Sequence, residues 1–117
     1  MLARANRVIR PDEFRVAVRR GRRMSTAHAV LYLFPRQDAA PTRFGFIVSK
    51  AVGVAVVRNR VRRRLRAIAR ELLVARPTGT DVVIRALPGI DALDWQTLHD
   101  EVTKGFDRAV DRMVAST

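Results

Sequence analysis

Ser49-Lys50-Ala51-Val52-Gly53-Val54-Ala55-Val56-Val57-Arg58-Asn59-Arg60-Val61-Arg62-Arg63-Arg64-Leu65-Arg66 joins the densest charge in the chain to its most regular apolar spacing. Arginines stand at 58, 60, 62, 63, 64, 66 and 70, and no acid intervenes before Glu71. Val57, Val61, Leu65, Ile68 and Leu72 recur at offsets of three and four, one stripe of an α-helix. The spacing predicts a helix from about Ala55 to Ala75, closed by Pro77 and Gly79. One face requires a core, and most of the remaining surface is guanidinium. A solvated helix usually mixes signs, because like charges four apart, as at Arg58, Arg62 and Arg66, cost roughly 0.2–0.5 kcal/mol per pair. Repetition of that cost points to an anionic partner, and a footprint of this kind points to nucleic acid. Arg64 falls near the apolar side of the wheel and is expected to snorkel.

The charge is unevenly divided. Over residues 1–70, 18 Lys and Arg face 3 acids, a formal +15; over residues 71–117, 5 face 8, a formal −3. The polyanion surface therefore belongs to the first half, with the tail as support. At 117 residues with a net charge of +12, the chain reads as one domain with a modest core. Cysteine is absent, which leaves no disulfide scaffold and no thiolate metal site and fits a reducing cytoplasm. Arg4, Arg7 and Arg10 interrupt the start of the chain, so neither a signal peptide nor a membrane span is expected.

Before the basic helix, residues 1–10 carry three arginines and little that packs. They read as a mobile basic arm, able to settle on phosphate when RNA arrives. Pro11-Asp12-Glu13 opens a short helix, with proline in the first turn and two acids at the positive end of the dipole. Phe14, Ala17 and Val18 form its apolar face, and Gly21 supplies the stop. Arg22 to Ser25 suits a short edge strand. From Ala27 to Phe34, alternation puts His28, Val30, Tyr32 and Phe34 on one face and Ala29, Leu31 and Leu33 on the other. His28 suits a strand surface better than a ligand position. Arg43 to Ser49 forms another strand, with Phe44 and Phe46 directed to the core and Gly45 allowing close approach on the opposite face. Separated only by the Pro35–Thr42 loop, these two strands read as antiparallel neighbours. Gly53 bares backbone N–H groups at the start of the basic helix, a phosphate seat.

After the basic helix, Asp81 to Ala86 reads as an inner strand through its continuous Val82-Val83-Ile84. Asp94 is a plausible N-cap. Trp95, Leu98, Val102, Phe106, Ala109 and Met113 then make a helical stripe, expected as a lid on the sheet with Trp95 as its core anchor. Asp100, Glu101, Asp107 and Asp111 fall on its outer side. Catalytic groups for cutting RNA are not visible. His28 and His99 sit in different elements, and the basic half has no acidic cluster of the kind a two-metal nuclease needs. No catalytic or metal-ligating residue is assigned.

Lys50, Gly53, Ala55-Val56, Arg58-Asn59-Arg60, Arg62-Arg63 and Leu65-Arg66 together resemble the signature of the bacterial ribonuclease P protein subunit. Arg7, Phe14, Gly21, Val30-Leu31-Tyr32 and Asp81-Val82-Val83-Ile84 extend the likeness, in order, over most of the chain. The resemblance implies an α+β, single-domain αβββαβα two-layer sandwich with a left-handed βαβ crossover, of the ribosomal-protein-like kind. It implies that Lys50, Arg58, Asn59, Arg60, Arg62, Arg63 and Arg66 meet the catalytic RNA subunit, with Asn59 ordering the arginines beside it. It implies that Phe14, Val18 and Tyr32 line a cleft for the single-stranded 5′ leader of precursor tRNA. From the residues alone, the alternative for Phe14 is plain core and for Tyr32 a half-buried strand tyrosine. Ala51, Val54 and Val18 stand where the family commonly has lysine, a polar residue and a second aromatic, and each removes a potential RNA contact. On this likeness the RNA subunit performs the hydrolysis, the protein binds no cofactor alone, and the holoenzyme requires Mg2+. The partners expected are the ribonuclease P RNA and precursor tRNA, with no membrane and no obligate protein partner. A ribosomal or ribosome-assembly protein is the rival among RNA binders, and an autonomous nuclease the rival among enzymes.

Overall fold

The computed structural model describes residues 2–115. After a single 3-10 turn at Arg4–Asn6 come α1 (Pro11–Arg20), β1 (Arg22–Ser25), β2 (Ala29–Pro35), β3 (Arg43–Ile47), α2 (Ala55–Ala75), β4 (Thr80–Ala86) and α3 (Trp95–Ala115). The fold is α+β, with one four-stranded mixed sheet in the order β1-β2-β4-β3. The basic helix spans the residues that its apolar spacing predicts.

β4 takes the centre, antiparallel to β2 and parallel to β3. This corrects the expectation that β2 and β3 pair with each other. Val82, Val83 and Ile84 are buried on both faces, and only an inner position satisfies such a strand. The segment β3-α2-β4 is thus a parallel crossover, with α2 as its connection. β1 lies at one edge, as its sequence suggests, and β3 at the other.

Alternation along β2 divides the apolar residues into two clusters. Ala29, Leu31 and Leu33 join Val82, Ile84 and Phe44 against the stripes of α2 and α3, which gives the main core. Val30, Tyr32 and Val83 face the other way and are covered by Ala17 of α1, with Phe14 and Val18 packed alongside. The helices therefore do not all lie on one side. Two layers describe the sheet with α2 and α3, and α1 adds cover on the opposite face because β2 and β4 are apolar on both.

Two other expectations are corrected. Residues 2–10 are not a free arm. Leu2 is 2% exposed within the main core, the Val8 N–H donates to the Phe44 carbonyl at 2.9 Å, and the Asn6 side chain donates to the Thr42 carbonyl at 2.9 Å. Leu2 and Val8 supply the apolar contacts, and the outer edge of β3 supplies the backbone partner. Trp95 is not a core anchor but is 41% exposed, lying against His99 with ring centroids 5.8 Å apart. Leu98, one turn on, starts the buried stripe instead. Asp94 does cap α3, accepting from the Thr97 N–H at 2.7 Å, and this bond holds its carboxyl below the usual range.

Asp81, 3% exposed, is an ionic hub. It sits in register with Phe34 on one neighbour strand and Arg43 on the other. Its carboxylate accepts from Arg36, and from Arg43 Nε and Nη2 at 2.8 and 2.6 Å. Arg43 also reaches Glu13 of α1. The Asp81 carboxylate raises the Arg43 pKa above the ordinary arginine range; burial opposes this, and Glu13 adds to it. Removing Asp81 takes the buried carboxylate from two guanidiniums, leaving Arg36 with the exposed Asp38 and Arg43 with Glu13. Asp81→Ala is expected to cost about 3 kcal/mol, the low end for breaking a buried pair because Arg43 retains some solvent. The shift in urea midpoint measures it.

A second clasp ties α3 to the turn before β2. Glu101 accepts from Thr26 Oγ1 at 2.7 Å and the His28 N–H at 2.7 Å, and pairs with His28 Nδ1 at 2.8 Å. Glu101 therefore faces inward, unlike the outward position expected of it. Burial acts to raise its pKa, but the bonds from His28 and Thr26 outweigh burial and hold it below the ordinary value. A depressed carboxyl stabilises the fold above the unfolded value of about 4.3, and that contribution is lost as pH falls through the folded value. Glu101→Gln should lower the urea midpoint at pH 7 and flatten the decline in midpoint between about pH 5 and pH 3.

Candidate nucleic-acid interface

α2 is held by Val61, Leu65, Ile68, Ala69 and Leu72, all buried. That fixes the helix's rotation and turns Arg60, Arg63, Arg66 and Arg70 to solvent. Arg64 lies over the core margin and donates to the Leu93 carbonyl at 3.0 Å, the snorkelling its position predicts. Among the described residues, no ion pair involves an arginine of α2. The acids of α3 do not neutralise this face. Like charges are left adjacent and unsatisfied, an arrangement suited to phosphate.

Local geometry distinguishes the arginines from one another. Arg62 is half-buried, donating to Asn59 Oδ1 at 3.2 Å and to the Val48 carbonyl at 3.4 Å. Asn59 therefore steadies Arg62, one turn on, rather than its neighbours Arg58 and Arg60. Side chains at adjacent helix positions diverge, whereas those three apart meet. Arg58 is half-buried with its Nε shut from solvent and without an acceptor among the described residues, so it straddles core and surface. Lys50 is exposed in the turn before α2. Neither a side-chain cap nor an acid occupies the first turn of α2, so its backbone N–H groups add to the positive end. Gly53 serves packing here: a Cβ would lie 2.8 Å from Val57 Cγ1.

The residues expected at a leader cleft separate. Phe14 and Val18 of α1 are half-buried and line a groove of about 410 Å3 with Arg15, Arg19 and Ile47. Tyr32 is 6% exposed beneath α1, so its ring forms the floor under Phe14 and Val18 and is not a free stacking platform. At Gly45 a Cβ would stand 2.5 Å from the Phe14 ring, so the missing side chain lets that ring approach β3. A second groove of about 270 Å3 joins Phe14, Gly45 and Phe46 to Arg62 and Arg66. Here the two sets of predicted residues meet. Ile47, Arg15 and Arg19 were not singled out from the sequence; their signal is position, since Arg15 and Arg19 flank Phe14 and Val18 on one helix and Ile47 shares the Gly45 face of β3. No group of three or more His, Cys, Asp or Glu that could hold a metal occurs among the described residues. None of the described helices is long and apolar enough to cross a membrane.

The sequence model of the family described as Ribonuclease P matches residues 2–110. The chain belongs to the ribonuclease P protein family. The chain is 53% identical over 110 residues to the ribonuclease P protein component of Clavibacter michiganensis, covering 94% of this chain and 97% of that one. It is 43% identical to the component from Streptomyces avermitilis, over 97% and 96% of the two chains. Its fold resembles the Staphylococcus aureus RNase P protein with a TM-score of 0.81 at 20% identity, over 91% and 96% of the chains. The Thermotoga maritima RNase P protein aligns with a TM-score of 0.74 at 20% identity, over 84% and 92%. As a ribonuclease P protein component, the chain is an RNA-binding subunit of tRNA processing.

Arg60 and Arg66 are exposed and have no ion-pair partner among the described residues, so Arg60→Ala with Arg66→Ala should leave the melting temperature within about a degree. The double variant should bind RNA more weakly, its salt slope reduced by about 0.7 per lost contact for single-stranded RNA. Filter binding across a salt series measures this; a large fall in melting temperature would instead make them structural.

Proposed function

We propose that this chain binds the catalytic RNA of ribonuclease P through α2 and the 5′ leader of precursor tRNA through the grooves beside α1. The observation that carries the reading is the groove where Phe14 and Gly45 meet Arg62 and Arg66. An apolar ring beside guanidiniums suits an unpaired strand, the base resting on the ring and the phosphate on the charge. Lys50, Arg58, Arg60, Arg63 and the rest of the outer α2 row serve the RNA subunit, with Asn59 holding Arg62 in place. Phe14 and Val18 contact the leader; Tyr32 supports them from below.

On this reading the protein supplies electrostatics. Two polyanions, catalytic RNA and precursor tRNA, repel, and arginines between them offset the repulsion. The hydrolysis that removes the leader belongs to the RNA and requires Mg2+, retained more readily when protein relieves phosphate crowding. The protein contributes no catalytic side chain and binds no cofactor of its own. It acts in the cytoplasm with two RNA partners and needs no further protein.

Reconstitution tests this. Purified protein, a bacterial ribonuclease P RNA and a precursor tRNA are combined over a Mg2+ titration. The protein should lower the Mg2+ concentration needed for leader removal, and Phe14→Ala should weaken binding of leader-bearing tRNA more than mature tRNA. Cleavage by protein alone would instead mark an autonomous nuclease. No effect on processing, with retained RNA binding, would mark a ribosomal role.

A further inference from the structure

We propose that the leader's path continues past the Phe14 groove, along the outer edge of β3, to a phosphate-binding pocket presented by Arg4 and Arg10. The proposal rests on the leader-binding reading above and extends it to a surface which that reading does not use.

Three grooves follow one another along β3. The first is lined by Ile47, the second by Gly45 and the third, of about 810 Å3, by Arg43. Phe14 is shared by the first two, and Arg7 and Ile9 by the last two, so the series is continuous. In the third, Arg43 and Glu13 neutralise each other, and Arg7 donates to the Leu2 carbonyl at 2.9 Å. Arg4 and Arg10 are exposed and have no acidic partner among the described residues. Ile9 is 52% exposed between the grooves, so the path alternates apolar surface with guanidinium, the pattern of single-strand binders. The N-terminal segment that carries these arginines is already fixed by buried Leu2 and the Val8–Phe44 hydrogen bond, so little ordering is needed when RNA arrives.

The polarity of the path follows from α2. Arg62 donates to the Val48 carbonyl, just past β3, so the first turns of α2 stand at the Ile47 end. Those turns are the part given to the catalytic RNA. A leader emerging from the catalytic RNA enters at that end, and Arg4 and Arg10 meet the phosphates farthest from the scissile bond.

The test compares wild-type holoenzyme with holoenzyme carrying Arg4→Ala and Arg10→Ala. Equilibrium binding is measured for precursor tRNAs whose leaders lengthen from none to about a dozen nucleotides, within the site sizes of single-strand grooves. Wild-type affinity should rise with leader length. The variant should match it for short leaders and fall about three- to tenfold behind for long ones, losing about 1.4 from the salt slope, 0.7 per contact. Equal weakening at every length, including the leaderless tRNA, overturns the proposal in favour of a contact to the tRNA body or catalytic RNA. A variant equal to wild type throughout also overturns it. If wild type itself ignores leader length, the leader-binding reading falls and takes this extension with it. Wild-type sensitivity to leader length that the double substitution leaves unchanged removes the extension alone.

Discussion

The docking of one stripe of α2 fixes everything on its other side. Val61, Leu65, Ile68 and Leu72 are buried against the sheet and α3, and full burial of each such side chain contributes about 1.5–3 kcal/mol. Rotation by a single residue, about 100°, would put arginines in the places of Val61 and Leu65. Burying unpaired guanidinium costs several kcal/mol per group. The helix therefore has one available orientation, and its guanidinium rows are held outward by the core rather than by contacts of their own. A binding surface made this way is pre-organised in backbone position while its long side chains remain free to adapt to phosphate.

The protein handles arginine in two opposite ways. Arg36 and Arg43 are brought inward and matched by Asp81, with Glu13 behind Arg43. Among the described residues, the arginines of α2 receive no acid. Register explains the difference: Asp81 lies level with Arg43 on the adjacent strand, within reach of both guanidiniums, and its own burial makes pairing obligatory. Net charge over the first seventy residues thus overstates the surface presented to RNA, because two of its arginines are spent on the fold. What remains is concentrated on α2, α1 and the N-terminal segment.

Patterns that depend on local periodicity were legible in the sequence. The limits of α2, the two-faced alternation of β2, the inner character of β4 and the Asp94 cap each follow from a few residues of spacing. The misreadings concern partners distant in sequence. β2 and β3 are close along the chain, but β4, whose continuous Val82-Val83-Ile84 is buried on both faces, separates them. Trp95 fits the helical stripe of α3, yet it lies in the first turn, beyond the edge of what the sheet can cover. Tyr32 shares a strand face with residues that alternation marks as half-buried; that α1 closes over it, through Ala17, is a tertiary fact. At the candidate interface the charged row was readable, but the division of labour within it was not. Asn59 is bonded to Arg62 because of helix geometry, and Arg58 sits at the core margin because the stripe begins beside it.

The edge of the sheet explains why the N-terminal segment is docked. β3 is an outer strand, and an open outer strand exposes unpaired N–H and C=O groups to other chains. Residues 7 and 8 cover part of this edge, through the parallel bridge from Arg7 to Phe44 and the bond from the Val8 N–H. Covering it with an arginine-bearing segment does two things at once: it blocks edge-to-edge association, and it places positive charge along a boundary where α1 and α2 leave grooves. A basic segment left free would retain the charge but lose the geometry. The same backbone bonds that cover β3 therefore align Arg7, Ile9 and Arg10 with Phe14, along the path proposed for the leader.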